Sequence, residues 1–325
     1  MAEITYREAL AQALREEMTR DERVYLIGED IGAYGGSYAV TKGFLQDFGP
    51  KRVIDAPIAE MGIVGEAIGS SMYGLKPVAE LMTINFAILA LDQIVNHAAK
   101  LHYMFGGQMN CPMVIRTVAG WGQLAATHSQ SFESWFAHIP GLQVVTPATP
   151  SDAKGMLKTA IRGQNPVIFI EHSLLYGIKG EVPEGDHLLP LSGAQVLRQG
   201  SDITIISYSR MAIMALRAAG KLAEMGIEAE VIDLRALRPL DMSSAVQSVT
   251  RTHHALVVEE DWRTCGMGGE IASQLYEQAF DYLDAPIGRV AAVEVPMPYS
   301  KALEHLVVPD ENRVISAART VLNLK

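Results

Sequence analysis

Residues Thr5 to Gly28 read T-Y-R-E-A-L-A-Q-A-L-R-E-E-M-T-R-D-E-R-V-Y-L-I-G. Thr5-Tyr6-Arg7-Glu8 has the form of a capping box, and Ala9, Leu10, Ala13, Leu14 and Met18 follow at helical spacing. After a charged break, Val24–Gly28 reads as a short strand, apolar throughout instead of alternating. A strand apolar on both sides next to an amphipathic helix is the unit of a parallel sheet covered by helices on both faces.

The pattern repeats along the chain. Strand-like runs stand near Arg52–Ile54, Pro77–Leu81, Met113–Arg116, Leu142–Val145 and Val167–Ile170. Between them lie helical patterns at Met61–Tyr73, Ala87–Lys100, Phe132–Ala137 and Asp152–Arg162. From Glu171 to Gly200 glycines and prolines accumulate and the periodicity fades, which marks a linker. Beyond it, Asp202–Ser207 is a strand, a helix capped by Ser209 runs to a stop at Gly226, and Ile227–Asp233 is the next strand. Ala255–Glu260, a helix after Gly269 and Arg289–Glu294 complete a second set. The expected fold class is α/β, with two α/β domains: residues 1–185, a linker at 186–200, and residues 201–325.

Composition narrows the function. At 49% hydrophobic and 20% charged, the chain is a compact globular one. A net charge of -10 disfavours broad nucleic-acid binding, which needs a positive surface. Cys111 and Cys265 are far apart and suggest neither a zinc site nor a disulfide framework. The N-terminus lacks an apolar signal core, and no apolar run approaches the roughly 20 residues of a membrane span. The expectation is a soluble, intracellular protein.

Candidate chemistry centres on V-I-D-A-P-I-A-E-M-G (Val53–Gly62), where Glu60 stands in an almost wholly apolar stretch. A carboxylate there is either an ordinary first-turn acid of a helix or a desolvated acid ready to share a proton with a ligand. The turn G-E-D-I-G-A-Y-G-G (Gly28–Gly36) resembles a dinucleotide loop only superficially: the glycine spacing is wrong, and two acids stand where a pyrophosphate would bind. Glu29 still lies where parallel sheets place ligands. The turn Cys265–Gly269 reads as a flexible helix entry rather than an anion cradle. Most histidines read as structural or solvated. His128, in A-T-H-S-Q-S after the loop A-G-W-G-Q, has the small polar neighbours of a proton donor or acceptor.

Taken together, several motifs carry a resemblance. I-D-A-P-I-A-E (Ile54–Glu60), L-D-Q-I-V-N-H-A-A-K (Leu91–Lys100), Y-M-F-G-G (Tyr103–Gly107), A-T-H-S-Q (Ala126–Gln130), H-I-P-G-L-Q-V-V (His138–Val145), A-I-R-G-Q-N-P (Ala160–Pro166) and D-L-R-A-L-R-P-L-D (Asp233–Asp241) occur in order over nearly the whole chain. They resemble the β subunit of the thiamine-diphosphate-dependent decarboxylase component of 2-oxo acid dehydrogenase complexes. That resemblance implies a transketolase-like pyrimidine-binding domain followed by a transketolase C-terminal domain. It makes Glu60 the acid that contacts the aminopyrimidine ring nitrogen of thiamine diphosphate. It places Ile58 under the bent cofactor, Phe86 against the pyrimidine, and Glu29 and Met82 close by. It gives His128 a part in proton handling when the acyl group passes to lipoate.

Some members of the family bind a structural potassium ion through main-chain carbonyls. The corresponding residues are Met113, Ala160, Ile161, Gly163 and Asn165, with Gly163 replacing a frequent acid. The chain has no G-D-G, the start of the motif with which single-chain thiamine enzymes hold magnesium and the diphosphate. The resemblance therefore implies that Mg2+ and the diphosphate are held by an α subunit, in an α2β2 heterotetramer that serves a lipoyl-bearing acyltransferase core. Gly28–Lys42 is most similar to pyruvate-type chains of bacteria and plastids. Branched-chain 2-oxo acid and acetoin types stay open, as does a non-catalytic scaffold. The implied location is the bacterial cytoplasm, or an organellar stroma or matrix.

Overall fold

The computed structural model describes residues 1–121 and 124–324. Gly122 and Gln123, of the loop A-G-W-G-Q, lie outside the described residues. The chain forms two units: Met1–Ala119 with Trp135–Leu191, and Gly120–Ser134 with Ser192–Lys325.

In the first unit, β1 (Ala2–Thr5) leads into helix α1 (Tyr6–Arg20), whose N-terminus carries the expected capping box between Thr5 and Glu8. Strand β2 (Val24–Gly28) is fully buried. There follow α2 (Phe44–Phe48), β3 (Val53–Asp55), α3 (Glu60–Met72) and β4 (Lys76–Glu80). After a short helix α4 (Leu101–Met104) come β5 (Val114–Ala119), α5 (Glu133–Ala137, its first two residues counted with the second unit), β6 (Gln143–Val145), α6 (Pro150–Arg162), β7 (Val167–His172) and β8 (Lys179–Val182). Within the unit, the strand order β6-β7-β5-β4-β2-β3 is parallel throughout, and β1 pairs antiparallel with β8. Lys154, Lys158 and Arg162 recur every four residues on α6. They face Glu16 and Glu17 of α1 at 2.6–2.7 Å, which locks the two helices together.

The single helix expected over Ala87–Lys100 is instead a 3₁₀ turn (Ile84–Ala90) followed by a π segment (Gln93–Ala98). Apolar periodicity marks the buried face but does not distinguish hydrogen bonds spanning three, four or five residues, and such irregular turns concentrate at functional sites.

The second unit contains β9 (Gln195–Arg198), β10 (Ile203–Ser207), α7 (Ser209–Glu224), β11 (Ala229–Asp233), β12 (Ala236–Arg238), α8 (Ser243–Thr252), β13 (Ala255–Trp262), α9 (Met267–Ala279), β14 (Gly288–Ala292), α10 (Lys301–Val307) and α11 (Glu311–Val321). Its sheet has the order β14-β13-β10-β11-β9, parallel except for the antiparallel edge strand β9. Ile203, Ile205, Val231, Leu256 and Val258 pack against Met211, Ala215 and Leu222 of α7 and Val314 and Ala318 of α11. Tyr208, not Ser209, occupies the N-cap of α7; Ser209 has φ +52 and the cap has no side-chain hydrogen bond. Helix α9 begins at Met267, two residues before the expected glycine.

The stretch expected as a linker has structure of its own. Asp186 pairs with Lys158 at 2.8 Å and Arg162 at 2.6 Å in the first unit, while residues 195–198 are the edge strand of the second sheet.

Candidate active site

The sequence-predicted cofactor residues of the first unit all follow strands at the C-terminal edge of its sheet. Gly28 is in register with Asp55 on one side and Glu80 on the other. The chain leaves β2 toward β3 and leaves β4 toward β5, so the strand order reverses at this edge, where open parallel sheets bind ligands. Glu29 follows β2, Ile58 and Glu60 follow β3, and Met82 and Phe86 follow β4.

Glu60 is the first residue of α3 and is 5% exposed. The N-cap residue Ala59 makes no side-chain cap bond, and the Glu60 carboxylate makes no hydrogen bond or ion pair to protein among the described residues. Burial, followed by the negative charges of Asp30 and Glu60, pushes the Glu29 carboxyl above its ordinary range. Glu29, after β2, thus feels the charge of Glu60 at the start of α3. Ile58 projects from the preceding loop and is 75% exposed, whereas Met82 and Phe86 are half-buried. Asp55, the first acid of D-A-P-I-A-E, accepts from the N–H groups of Gly32 at 2.6 Å and Ala33 at 3.1 Å. It therefore holds the turn that carries Glu29.

Beside Met82 lies a charged network that sequence reasoning missed. Arg116 of β5 donates to Glu171 of β7 at 2.6 and 2.9 Å and to Glu80 of β4 at 2.7 Å. Tyr176 donates to Glu171 at 2.6 Å and stacks on Tyr38 with ring centroids 4.7 Å apart. Burial opposes the Arg116 charge, but Glu171 and Glu80 outweigh it and raise its pKa. Burial pushes Glu80 up, against the pull of Arg116. The signal was legible: Glu80, Arg116 and Glu171 each stand among mostly apolar neighbours in K-P-V-A-E, V-I-R-T-V-A and V-I-F-I-E-H.

His128 belongs to the Gly120–Ser134 segment of the second unit. It is exposed, and the Thr127 hydroxyl lies 2.9 Å from its Nδ1. The segment is anchored inside its own unit. The Trp121 N–H donates to Glu260 at 3.0 Å, and the Trp121 indole packs with Ala292, Met297, Val307 and Val308. Ser134 donates to Asp261 at 3.1 Å. Burial pushes Asp261 up to about 7 and raises Glu133 as well; Asp261 adds to the Glu133 shift, and Glu259 and Glu260 add to both. At the turn Cys265–Gly269, Gly268 N–H donates at 2.7 Å to Glu259, itself paired with Arg289 at 2.9 Å. An internal carboxylate thus fills that helix entry.

The potassium candidates present a different picture. The Met113 carbonyl accepts from Val167 N–H at 3.0 Å and the Ala160 carbonyl from Gly163 N–H at 3.1 Å. The Ile161 and Gly163 carbonyls accept from the Lys76 ammonium at 3.1 and 3.3 Å. Asn165 is exposed. A metal ion among the same oxygens would meet a like charge, and two such charges about 4 Å apart repel by about 4 kcal/mol near a protein surface. These residues do not fit a potassium ion alongside Lys76.

Comparison with known proteins gives this arrangement its family. Residues 2–179 match the transketolase pyrimidine-binding domain and residues 192–314 the transketolase C-terminal domain. The chain is 48% identical over 320 residues to the pyruvate dehydrogenase E1 component subunit beta of Rickettsia felis, covering 98% of each. The chain belongs to the pyruvate dehydrogenase E1 component subunit beta family. The mitochondrial E1 β subunit of Caenorhabditis elegans is 47% identical over 99% of this chain and 93% of its own length. Among solved structures, a split gene transketolase, described as an inactive beta4 tetramer, superposes with a TM-score of 0.81 at 25% identity over 99% of both chains. The pyruvate-type reading of Gly28–Lys42 thus agrees with the relatives. An E1 β chain with a pyrimidine-binding transketolase domain implies thiamine diphosphate as cofactor and an E1 α chain as partner, in the acetyl-transferring decarboxylase.

Proposed function

We propose that the C-terminal edge of the first unit's sheet holds the aminopyrimidine of thiamine diphosphate, with Glu60 at its ring nitrogen. The observation that carries this reading is Glu60, a residue only 5% exposed whose carboxylate makes no hydrogen bond or ion pair to protein among the described residues. A nearly buried acid with no protein partner, at the ligand-binding edge of a parallel sheet, is placed to meet a ligand's donor. Glu60 would hold or release a proton at that nitrogen. Exposed Ile58 offers an apolar support for the ring system, Phe86 an aromatic face, and Glu29 and Met82 further walls. Bound thiamine diphosphate supplies the electron sink on which a 2-oxo acid, here pyruvate, loses carbon dioxide.

The chain lacks G-D-G, so the α chain would supply Mg2+ and the grip on the diphosphate, in an α2β2 assembly. Met61, Leu89, Tyr103 and Met104 are large apolar side chains exposed in this chain by itself, as a partnered surface requires. His128 would move a proton when the acetyl group passes to a lipoyl group of the acyltransferase core. Cytoplasm, stroma and matrix all suit this role, and no helix among the described residues is long and apolar enough to cross a membrane.

The test is Glu60→Gln in the assembled α/β complex, assayed with pyruvate and an artificial electron acceptor. The expected result is a loss of about 10²–10⁴-fold in kcat with an unchanged melting temperature. A fully active variant would overturn the role of Glu60.

A further inference from the structure

Lys76 opens β4 and is 7% exposed. Its ammonium reaches three main-chain oxygens at the C-terminal end of α6: Arg162 at 3.0 Å, Ile161 at 3.1 Å and Gly163 at 3.3 Å. An ammonium has three donors, so the three oxygens account for all of them. A helix leaves its last carbonyls without intrahelical partners, and they carry the negative end of the helix dipole. Among the described residues no carboxylate forms a salt bridge with Lys76. Its charge is balanced by backbone oxygen, as a bound alkali ion's would be.

We propose that Lys76 is this chain's own cation: the tethered ammonium fills the carbonyl cradle that a monovalent metal ion would otherwise occupy, and the helix end needs no potassium. Burial, together with Arg23, pulls the ammonium below the ordinary lysine range, against Asp21 and Glu17. The three carbonyl oxygens act the other way, because only the charged ammonium can donate to all of them. A tethered cation is present at every potassium concentration. It also ties the start of β4 to the end of α6, and β4 delivers Glu80 and Met82 to the sheet edge. The inference does not depend on the thiamine reading.

The test is amide hydrogen exchange of residues 156–166 in the assembled α/β complex, in potassium chloride against tetramethylammonium chloride at equal ionic strength. This readout is local, so cation effects elsewhere in the complex do not enter it. In the wild type the exchange should be the same in both salts. A potassium-specific slowing in the wild type would overturn the proposal. In tetramethylammonium, Lys76→Ala should exchange about tenfold faster or more, and potassium should restore part of the protection. Unchanged exchange in that variant, or no recovery in potassium, would also overturn it. Lys76→Arg keeps the charge and should stay indifferent to potassium; should the alanine variant not fold, the wild type and this variant decide.

Discussion

At the scale of single residues, the site depends on acids in unusual surroundings. Burial and the charges of Asp30 and Glu60 raise the cost of ionising Glu29, which follows β2. Replacing Glu29 with Gln removes that repulsion. Glu29→Gln should lose less kcat/KM than Glu60→Gln in the assembled complex. His128→Ala should slow acetyl transfer to lipoate by about tenfold or more while leaving decarboxylation with an artificial acceptor nearly intact. Equal losses in both steps would remove His128 from proton handling. The Glu133–Asp261 pair gives a stability prediction. Its folded pKa values lie above the ordinary carboxyl value near 4. The native state therefore binds protons more tightly than the unfolded chain. The stabilisation is complete below about pH 4 and is lost as pH rises through about 7. Asp261→Asn should flatten the fall in melting temperature between pH 5 and 8 and raise it at pH 8 by about 2–4 °C.

At the scale of elements, neighbouring strands share buried charges. Arg116 is held by carboxylates from the strands on either side of its own, Glu80 from β4 and Glu171 from β7. Arg116→Met would strand both acids in the sheet and should cost about 3–5 kcal/mol, read as a lower urea midpoint. The motif H-I-P-G-L-Q-V-V has a backbone explanation. Gly141 has φ +103, and a side chain there would come within 1.9 Å of the Ala99 carbonyl oxygen, while Lys100 reaches the Pro140 carbonyl at 2.8 Å. Gly141→Ala should therefore destabilise by about 3 kcal/mol or more, without touching any cofactor-facing residue.

At the scale of the whole molecule, the proposed reading gives the chain one half of an active site. Purified without an α chain it should show no decarboxylation of pyruvate, and adding the α chain with thiamine diphosphate and Mg2+ should restore it. Activity from this chain alone would refute the two-chain site. Identity near 48% to bacterial relatives and 47% to a mitochondrial one, over almost the full length, shows that both units and their order are kept across distant lineages.

By itself, the sequence determined the elements and their class. Val24–Gly28 and the start of β7 at Val167 fall where their apolar runs place them, because a strand buried on both faces admits few other residues. The capping box at Thr5 and the stop at Gly226, with φ +78, are local chemistry and were equally legible. Glu60 stood out because an acid in an apolar stretch is rare. Tertiary structure alone decided the rest. Residues 120–134 join the second unit through Trp121 and Ser134, whose partners Glu260 and Asp261 lie more than 120 residues away. Arg116 acquires its meaning only when β4, β5 and β7 lie side by side. Lys76 became a candidate cation only when β4 met the end of α6 across 85 residues of chain. Such pairings depend on which elements become neighbours, and local periodicity does not encode that.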